Sequence, residues 1–402
     1  MDAGRRPSMT NDIEAGRIVF ISANERLDGG LLQTQLVGPV EKYLGARAEI
    51  VNIHRWGRNS YRSKALRVVN LPILAPFRFV NFRPWFLLNE LLCVAYALPI
   101  AFRYASQNRH ITFVARGYVP GLVCWWLNVL LGTRYVFDPR SLYVHEHVGA
   151  GNLAEGSPAY RYWMQVEQRV ARRAAAIACV SEAMAEYFRS LSGAPLKSRT
   201  VLIPCFAAER TGAVDPSQNR DAGRAALGYG TSDIIVVYYG SLNAGWNNVD
   251  RYTRFFAAAG SNGVKVLILS QDAEALRTSA LGQLAHVKIT SAEELGGCMT
   301  PEMCLEAADY GIVLMNKGPD WKTRLSVKFA EYTAAGLPVL VGTYVGEAAR
   351  LVRTFGLSPS LVLDDDDPFP SLRRPLPEER RMIRVWATQY FSPRNILRMT
   401  DY

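Results

Sequence analysis

Short β-branched runs alternate along this chain with longer segments of helical period, the pattern from which parallel sheets grow as successive βαβ units. In the first half the runs predicted as strands are 17–22 (RIVFIS), 48–53, 110–116, 134–140, 176–181 and 200–204. From Phe206 to Thr231 the sequence turns rich in Ala, Gly, Asp and Arg and loses its period. Behind that stretch the alternation restarts, with strands predicted over 233–240, 264–270, 286–290, 310–315, 338–342 and 360–365. The expected fold class is α/β, with two Rossmann-like domains facing across a cleft. Residues 1–16 are polar and interrupted by acids, without the basic start and apolar stretch of a signal peptide, and read as a disordered leader. The first domain is expected over 17–207 and the second over 208–377. A helical segment over 378–402 is expected to cross back and cover the first domain.

Composition supports two cores: 402 residues with 49% hydrophobic content exceed the size at which one core stops growing. The six cysteines, Cys93, Cys124, Cys179, Cys205, Cys298 and Cys304, have neither the spacing of a zinc site nor that of a disulfide framework. A reducing, cytoplasmic setting fits them. Two apolar stretches, from Phe86 to Phe102 and from Val119 to Leu131, are not expected to span a membrane, one for its Asn89 and Glu90 and the other for its length. The formal charge of +10 is uneven, since the first 200 residues carry 25 Lys and Arg against 14 Asp and Glu. That half therefore draws anionic surfaces or substrates.

The most informative segment is SVKFAEYTAAGLPVLVG, 326–342, in which Ser326 can cap a helix that stops at Gly336 before Pro338 opens a strand. Upstream, VVYYGSLNAGWNN (236–248) is a buried strand running into a turn bounded by Gly240 and Gly245. Between them, MTPEMCLEAADYGIVLM (299–315) opens a helix with Pro-Glu and closes it with Ala-Asp before a strand. These three segments, in this order, resemble the carboxyl-terminal half of the family 4, group 1, retaining glycosyltransferases of the polysaccharide-biosynthesis type. The resemblance implies the GT-B fold, a nucleotide-sugar donor and a glycan or lipid-linked acceptor.

It further implies that Glu331 accepts hydrogen bonds from the ribose hydroxyls, a task that suits the two parallel oxygens of a carboxylate. Ser326, Lys328 and the start of their helix then face the diphosphate, because a helix N-terminus offers free N–H groups. Lys322 and Arg324 are further phosphate candidates. Gly240, Ser241 and Trp246 belong to the turn that lets backbone approach the donor closely. The sequence departs from the family at Thr323, where a second Glu usually contacts the donor sugar, and at Trp246, near which a basic residue is common.

In the first domain FDPRSLYVHEH puts Asp138 and Arg140 at the end of a strand, with His145 a candidate for touching the acceptor. Asp138, Arg140 and His145 are the catalytic candidates, against the simpler reading of an Asp-Pro turn whose Arg pairs locally. His145, Glu146 and His147 are consecutive and cannot readily converge on one ion, so no metal or other cofactor is expected. Gly29 and Gly30, in the loop after the first strand, are candidates for reaching the donor phosphate.

Residues 55–86 carry seven basic side chains, no acid and interleaved aromatics from Trp56 to Phe86. One reading is a monotopic contact with an anionic membrane surface. A basic surface with aromatics tucked into the core, or a groove for an acidic glycan, fits the same pattern. Among rival functions, a nicotinamide or flavin oxidoreductase lacks the strand leading into G-x-G-x-x-G. Nucleic-acid binding finds none of its standard motifs, and no nucleic-acid partner is expected. The remaining alternative is a catalytically silent homologue that binds glycan or scaffolds an assembly complex, for which Thr323 speaks.

Overall fold

The computed structural model describes residues 16–402 except 24, 56–60, 74–82, 106–110, 192–198, 210–215, 243–244 and 297–298. The expected leader therefore lies, but for residue 16, outside the described residues. The first sheet is built from β1 (Arg17–Ala23), β2 (Ala48–Arg55), β3 (Arg67–Ile73), β4 (Ile111–Arg116), β5 (Arg134–Asp138), β6 (Ala176–Cys179) and β7 (Arg199–Leu202). Its strands run in the order β3-β2-β1-β4-β5-β6-β7 and every pairing is parallel. The second sheet holds β8 (Ile234–Tyr239), β9 (Val264–Leu269), β10 (Val287–Thr290), β11 (Tyr310–Val313), β12 (Val339–Gly342) and β13 (Leu361–Leu363). Its order, β10-β9-β8-β11-β12-β13, is again all parallel.

Central strands such as β11 and β12 are buried throughout, as parallel strands covered by helices on both faces must be. That is why they read as unbroken apolar runs. β3 does not, and the sequence pattern misses it. It is an edge strand pairing with β2 alone, and its Arg67 lies 3.1 Å from the buried Glu49 carboxylate. Glu49 also receives Arg17 and the Tyr104 hydroxyl, so one acid ties the starts of three strands to a helix.

In the second domain a comparable knot forms around Asp309, which is fully buried and accepts from Arg220, from Arg224 at 2.6 Å and from the Ile235 N–H at 2.8 Å. Arg224 spends its other donors on the carbonyls of Ala307, Thr231 and Asp233. The knot fixes the helix Pro216–Ala226 and the start of β8 to one corner.

The Arg83–Ala105 helix is longer than the apolar stretch suggests, and over Pro84–Tyr104 it has the length and composition of a membrane span. Its inner face, with Cys93, Tyr96, Ala97 and Ile100, is part of the first domain's core. Glu90 turns inward as well, paired with Arg169 at 2.5 Å and with the indole N–H of Trp126 at 3.0 Å.

The chain passes between the domains twice. After β7 it enters the second domain, and after the helix Pro377–Tyr390, which packs Ile383 and Ala387 into the second core, it returns. Ile396 and Met399 then join the first domain's core, and the Arg398 guanidinium bonds the Leu202 carbonyl at 3.0 Å. The two crossings are joined by the Ala207 N–H donating to the Phe391 carbonyl, 3.0 Å.

Candidate functional site

In each sheet the strand order reverses direction beside the first strand, between β1 and β4 and again between β8 and β11. Loops leaving opposite ways from such a point part to form a crevice at the carboxyl ends of the strands. Here the two crevices face each other and merge into a single cleft of roughly 720 Å³.

On the second domain's side the cleft is built around the helix Val327–Ala334. Ser326 is its N-cap in extended conformation, buried, with no side-chain capping bond. The first i to i−4 bond is made by the Ala330 N–H to the Ser326 carbonyl at 3.3 Å, so the N–H groups of the preceding turn point out of the helix end. Tyr332 holds the helix against the sheet. Its ring lies over Gly311, where a Cβ would stand only 2.3 Å from it, and its hydroxyl accepts the Tyr239 N–H at 2.7 Å.

Lys328 follows from this placement. Its chain crosses Gly240, a residue at φ 122° where an added Cβ would meet the Lys328 Cε at 2.8 Å. Its ammonium rests 5.4 Å from the centroid of the Tyr238 ring. Among the described residues it has no carboxylate within salt-bridge reach. Burial pushes its pKa below the ordinary 10.5, and Glu331, three residues on, partly offsets that. A cation held over a ring beside a helix N-terminus, with no salt-bridge partner, is a place for a ligand's negative charge. Glu331 lines the same wall, beside Tyr239 and Trp246.

On the first domain's side, Arg116 at the end of β4 is almost fully buried and reaches Glu25 at 3.0 Å and Asp138 at 3.4 Å. Arg140 adopts a left-handed φ of 62°, a conformation that costs a side-chain-bearing residue of order 1 kcal/mol. It faces the cleft between Asp138 at 3.7 Å and the Gln35 amide oxygen at 3.2 Å. Gln35 is itself clamped to both backbone groups of Phe206.

The sequence candidates separate as follows. Gly30, Arg140, Gly240, Trp246, Arg324, Ser326, Lys328 and Glu331 come together as lining residues. Gly30 has open space where its Cβ would be, whereas Gly29 lies behind it, its N–H closing a turn onto Arg26. Ser241 is exposed and hydrogen-bonded through its hydroxyl to Asp272 at 2.5 Å, and Lys322 points outward over the Trp321 ring. Arg324 lines the cleft but gives both arms to Asp320, at 2.9 and 2.7 Å, and a third donor to the Asn316 carbonyl. Asp138 sits behind Arg116 and Arg140 rather than at the surface. His145 is turned away, its Nε2 meeting the Tyr187 hydroxyl at 3.2 Å, and burial lowers its pKa.

Neighbouring positions on a helix point about 100° apart, so on Tyr143–Gly149 it is Glu146, not His145, that faces the cleft. Burial raises the Glu146 carboxyl, and the Ser141 hydroxyl, donating at 2.6 Å, pulls it part of the way back. Glu146, Glu25, Arg116 and Asp320 are cleft residues outside the sequence candidates. A single carboxylate in a loop carries no pattern, although the i to i+4 spacing of buried Leu142 and Glu146 is a usable signal. Thr323 is buried, with its hydroxyl on the Asp320 carbonyl. The carboxylate present in this loop is thus that of Asp320.

The two halves also touch directly beneath the cleft. The Ser181 hydroxyl donates to the Thr323 carbonyl at 2.8 Å, and the Cys205 thiol to the Leu325 carbonyl at 3.6 Å. Among the described residues no group of three His, Cys, Asp or Glu side chains is arranged to hold a metal ion.

Residues 43–205 match the family model described as glycosyl transferase 4-like domain. No curated protein matches the sequence. Among solved structures, sucrose-phosphate synthase from Thermosynechococcus elongatus is 18% identical, with 95% of this chain and 93% of that one covered and a TM-score of 0.57. Anabaena HepE, solved in complex with UDP and glucose, is 14% identical over 95% of this chain and 97% of its own, with a TM-score of 0.60. The α,α-trehalose 6-phosphate synthase of Burkholderia multivorans is 12% identical over 94% and 96%, with a TM-score of 0.61. The fold is therefore GT-B, two Rossmann-like domains around a cleft.

Proposed function

We propose that this protein is a glycosyltransferase that takes a sugar from a nucleoside diphosphate donor and passes it, with retention of anomeric configuration, to a glycan or lipid-linked acceptor. The observation that carries the proposal is Lys328, an ammonium with no carboxylate in salt-bridge reach among the described residues, at the open N-terminus of a cleft helix and with Glu331 one turn further on. In this reading the diphosphate lies against the helix end and Lys328, while the Glu331 carboxylate takes the two ribose hydroxyls. Negative charge developing on the leaving diphosphate meets backbone N–H groups and Lys328, fixed before the reaction begins. The sugar extends towards the Asp320–Arg324 pair and Glu146, and the acceptor enters along the loop that carries Glu25 and Gly30. A surface-polysaccharide product and a cytoplasmic site of action are part of the same proposal.

The experiment is calorimetric titration of the protein with UDP, GDP and ADP, repeated on Lys328→Ala and Glu331→Ala. UDP comes first because Anabaena HepE was solved with it. Tight binding of one nucleotide that both substitutions weaken is the expected result, and absence of binding by all three overturns the reading. Thr323, whose hydroxyl is taken by a carbonyl and not free for a sugar, favours a binding-only homologue. Donor hydrolysis or transfer by the nucleotide-binding protein eliminates that alternative.

A further inference from the structure

Among its described side chains, the helix Arg83–Ala105 has no polar residue on its exposed face. Leu87, Leu91, Ala95, Leu98 and Phe102 follow one another at spacings of four, four, three and four, and the other exposed positions are Pro84 and Pro99. Leu87 is 63% exposed, Leu91 57% and Phe102 78%. This stripe runs about 22 Å along a 23-residue helix about 35 Å long, at 1.5 Å per residue. Beside it packs the helix Tyr118–Leu131, whose last turn exposes Val129, Leu130 and Leu131. Single exposed leucines need no explanation, but a continuous apolar face on a surface helix does.

Charge decides among its possible occupants. Between Glu49 and Asp138 the chain holds eleven Lys and Arg and one acid, Glu90, which is paired inside the domain. Where the Tyr118–Leu131 helix ends, Arg134, Arg172 and Arg173 are exposed, with Arg173 over the half-buried Trp125 ring at 5.8 Å. A second copy docked face to face would set these cations against each other, which is costly. An anionic lipid surface meets both features, taking the apolar stripe among its acyl chains and the guanidinium groups at its headgroups.

On such a surface the helix would lie along it and not cross it. Its opposite face is domain core. Pro99, inside the helix, has no N–H to offer the carbonyl of exposed Ala95.

We propose that the exposed face of Arg83–Ala105, with the end of Tyr118–Leu131 and the arginines around it, is a docking surface for an anionic membrane. The 55–86 segment read in the sequence lies partly outside the described residues, at 56–60 and 74–82; the present surface is on the helix that follows it and is independent of the donor site.

The test is co-sedimentation of the full chain with phosphatidylcholine vesicles, with and without phosphatidylglycerol and without nucleotide. Wild type is expected to sediment with the phosphatidylglycerol vesicles. Leu91→Glu with Phe102→Glu should lower the bound fraction about tenfold or more, since two apolar anchors are replaced by charges of the wrong sign. Arg172→Ala with Arg173→Ala should remove the preference for anionic over neutral vesicles. All four positions are exposed, so unchanged melting temperatures are expected to show that the variants are folded. Vesicle binding by the glutamate variant equal to wild type overturns the proposal. So does a wild type that ignores vesicles, whether it stays monomeric or forms a dimer that the glutamate variant abolishes.

Discussion

Glu167 lies in the helix Pro158–Arg173, fully buried, and accepts the hydroxyls of Tyr118 and of Tyr187, the latter at 2.5 Å. Burial raises its carboxyl from 4.5 to about 6, and the two tyrosine hydrogen bonds restrain the rise. A group whose folded pKa lies above its unfolded value takes up a proton on folding. Its stabilising contribution is whole below the unfolded value and is lost as pH rises through the folded one. Here the window is about 4.5 to 6, and one and a half units correspond to about 2 kcal/mol. Glu167→Gln keeps the shape and has no proton to lose. The unfolding free energy of wild type minus that of Glu167→Gln should therefore fall by about 2 kcal/mol across this window and stay level above it. Urea unfolding followed by circular dichroism at closely spaced pH values measures the difference, in which titrations common to both proteins cancel. A difference that is flat or rises through the window refutes the reasoning. The result matters for the cleft because the Tyr187 hydroxyl on Glu167 also meets His145, on the helix that carries Glu146.

Two further predictions concern buried charge. Because burial holds Lys328 below 10.5 and Glu331 partly offsets this, UDP affinity should weaken as pH rises through the Lys328 value, about tenfold per unit beyond it. Calorimetry should show that decline at lower pH in Glu331→Gln and not at all in Lys328→Arg; identical profiles in all three proteins would mean that the ammonium does not meet the diphosphate. Asp309→Ala leaves Arg224 buried without its partner, and should cost about 3–5 kcal/mol in urea unfolding, with Asp309→Asn intermediate. A loss under about 1 kcal/mol would show that the carbonyls around Arg224 suffice to hold it.

Both sheets were legible wherever a strand is buried on both faces, since such strands must be apolar throughout. β3 was not, because Arg67, Asn70 and Pro72 break its apolar run. The Lys328–Glu331 wall was legible because the segment 326–342 carries the family resemblance, with Ser326, Lys328 and Glu331 close together on one helix. The opposite wall was legible only at Arg140 and Gly30, for Glu25, Arg116 and Glu146 come from the loop after β1, the end of β4 and the helix after β5, and meet only through sheet topology. Helical phase decided between His145 and Glu146. Lys322 and Arg324 show the converse: a basic residue near a binding motif has alternatives, a ring to lie on or an aspartate to grip, and sequence spacing does not distinguish them.

The bond from Ala207 to Phe391 ties together the two strands of chain that pass between the domains. A body suspended from one thread can swivel, but one hung from two joined threads can only fold along the line they define. An opening about that line would part the Glu25–Arg140 wall from the Lys328–Glu331 wall and bring them back in the same register. A ligand bridging the two walls is thereby offered one alignment of its ends, which is what a reaction between two bound molecules requires.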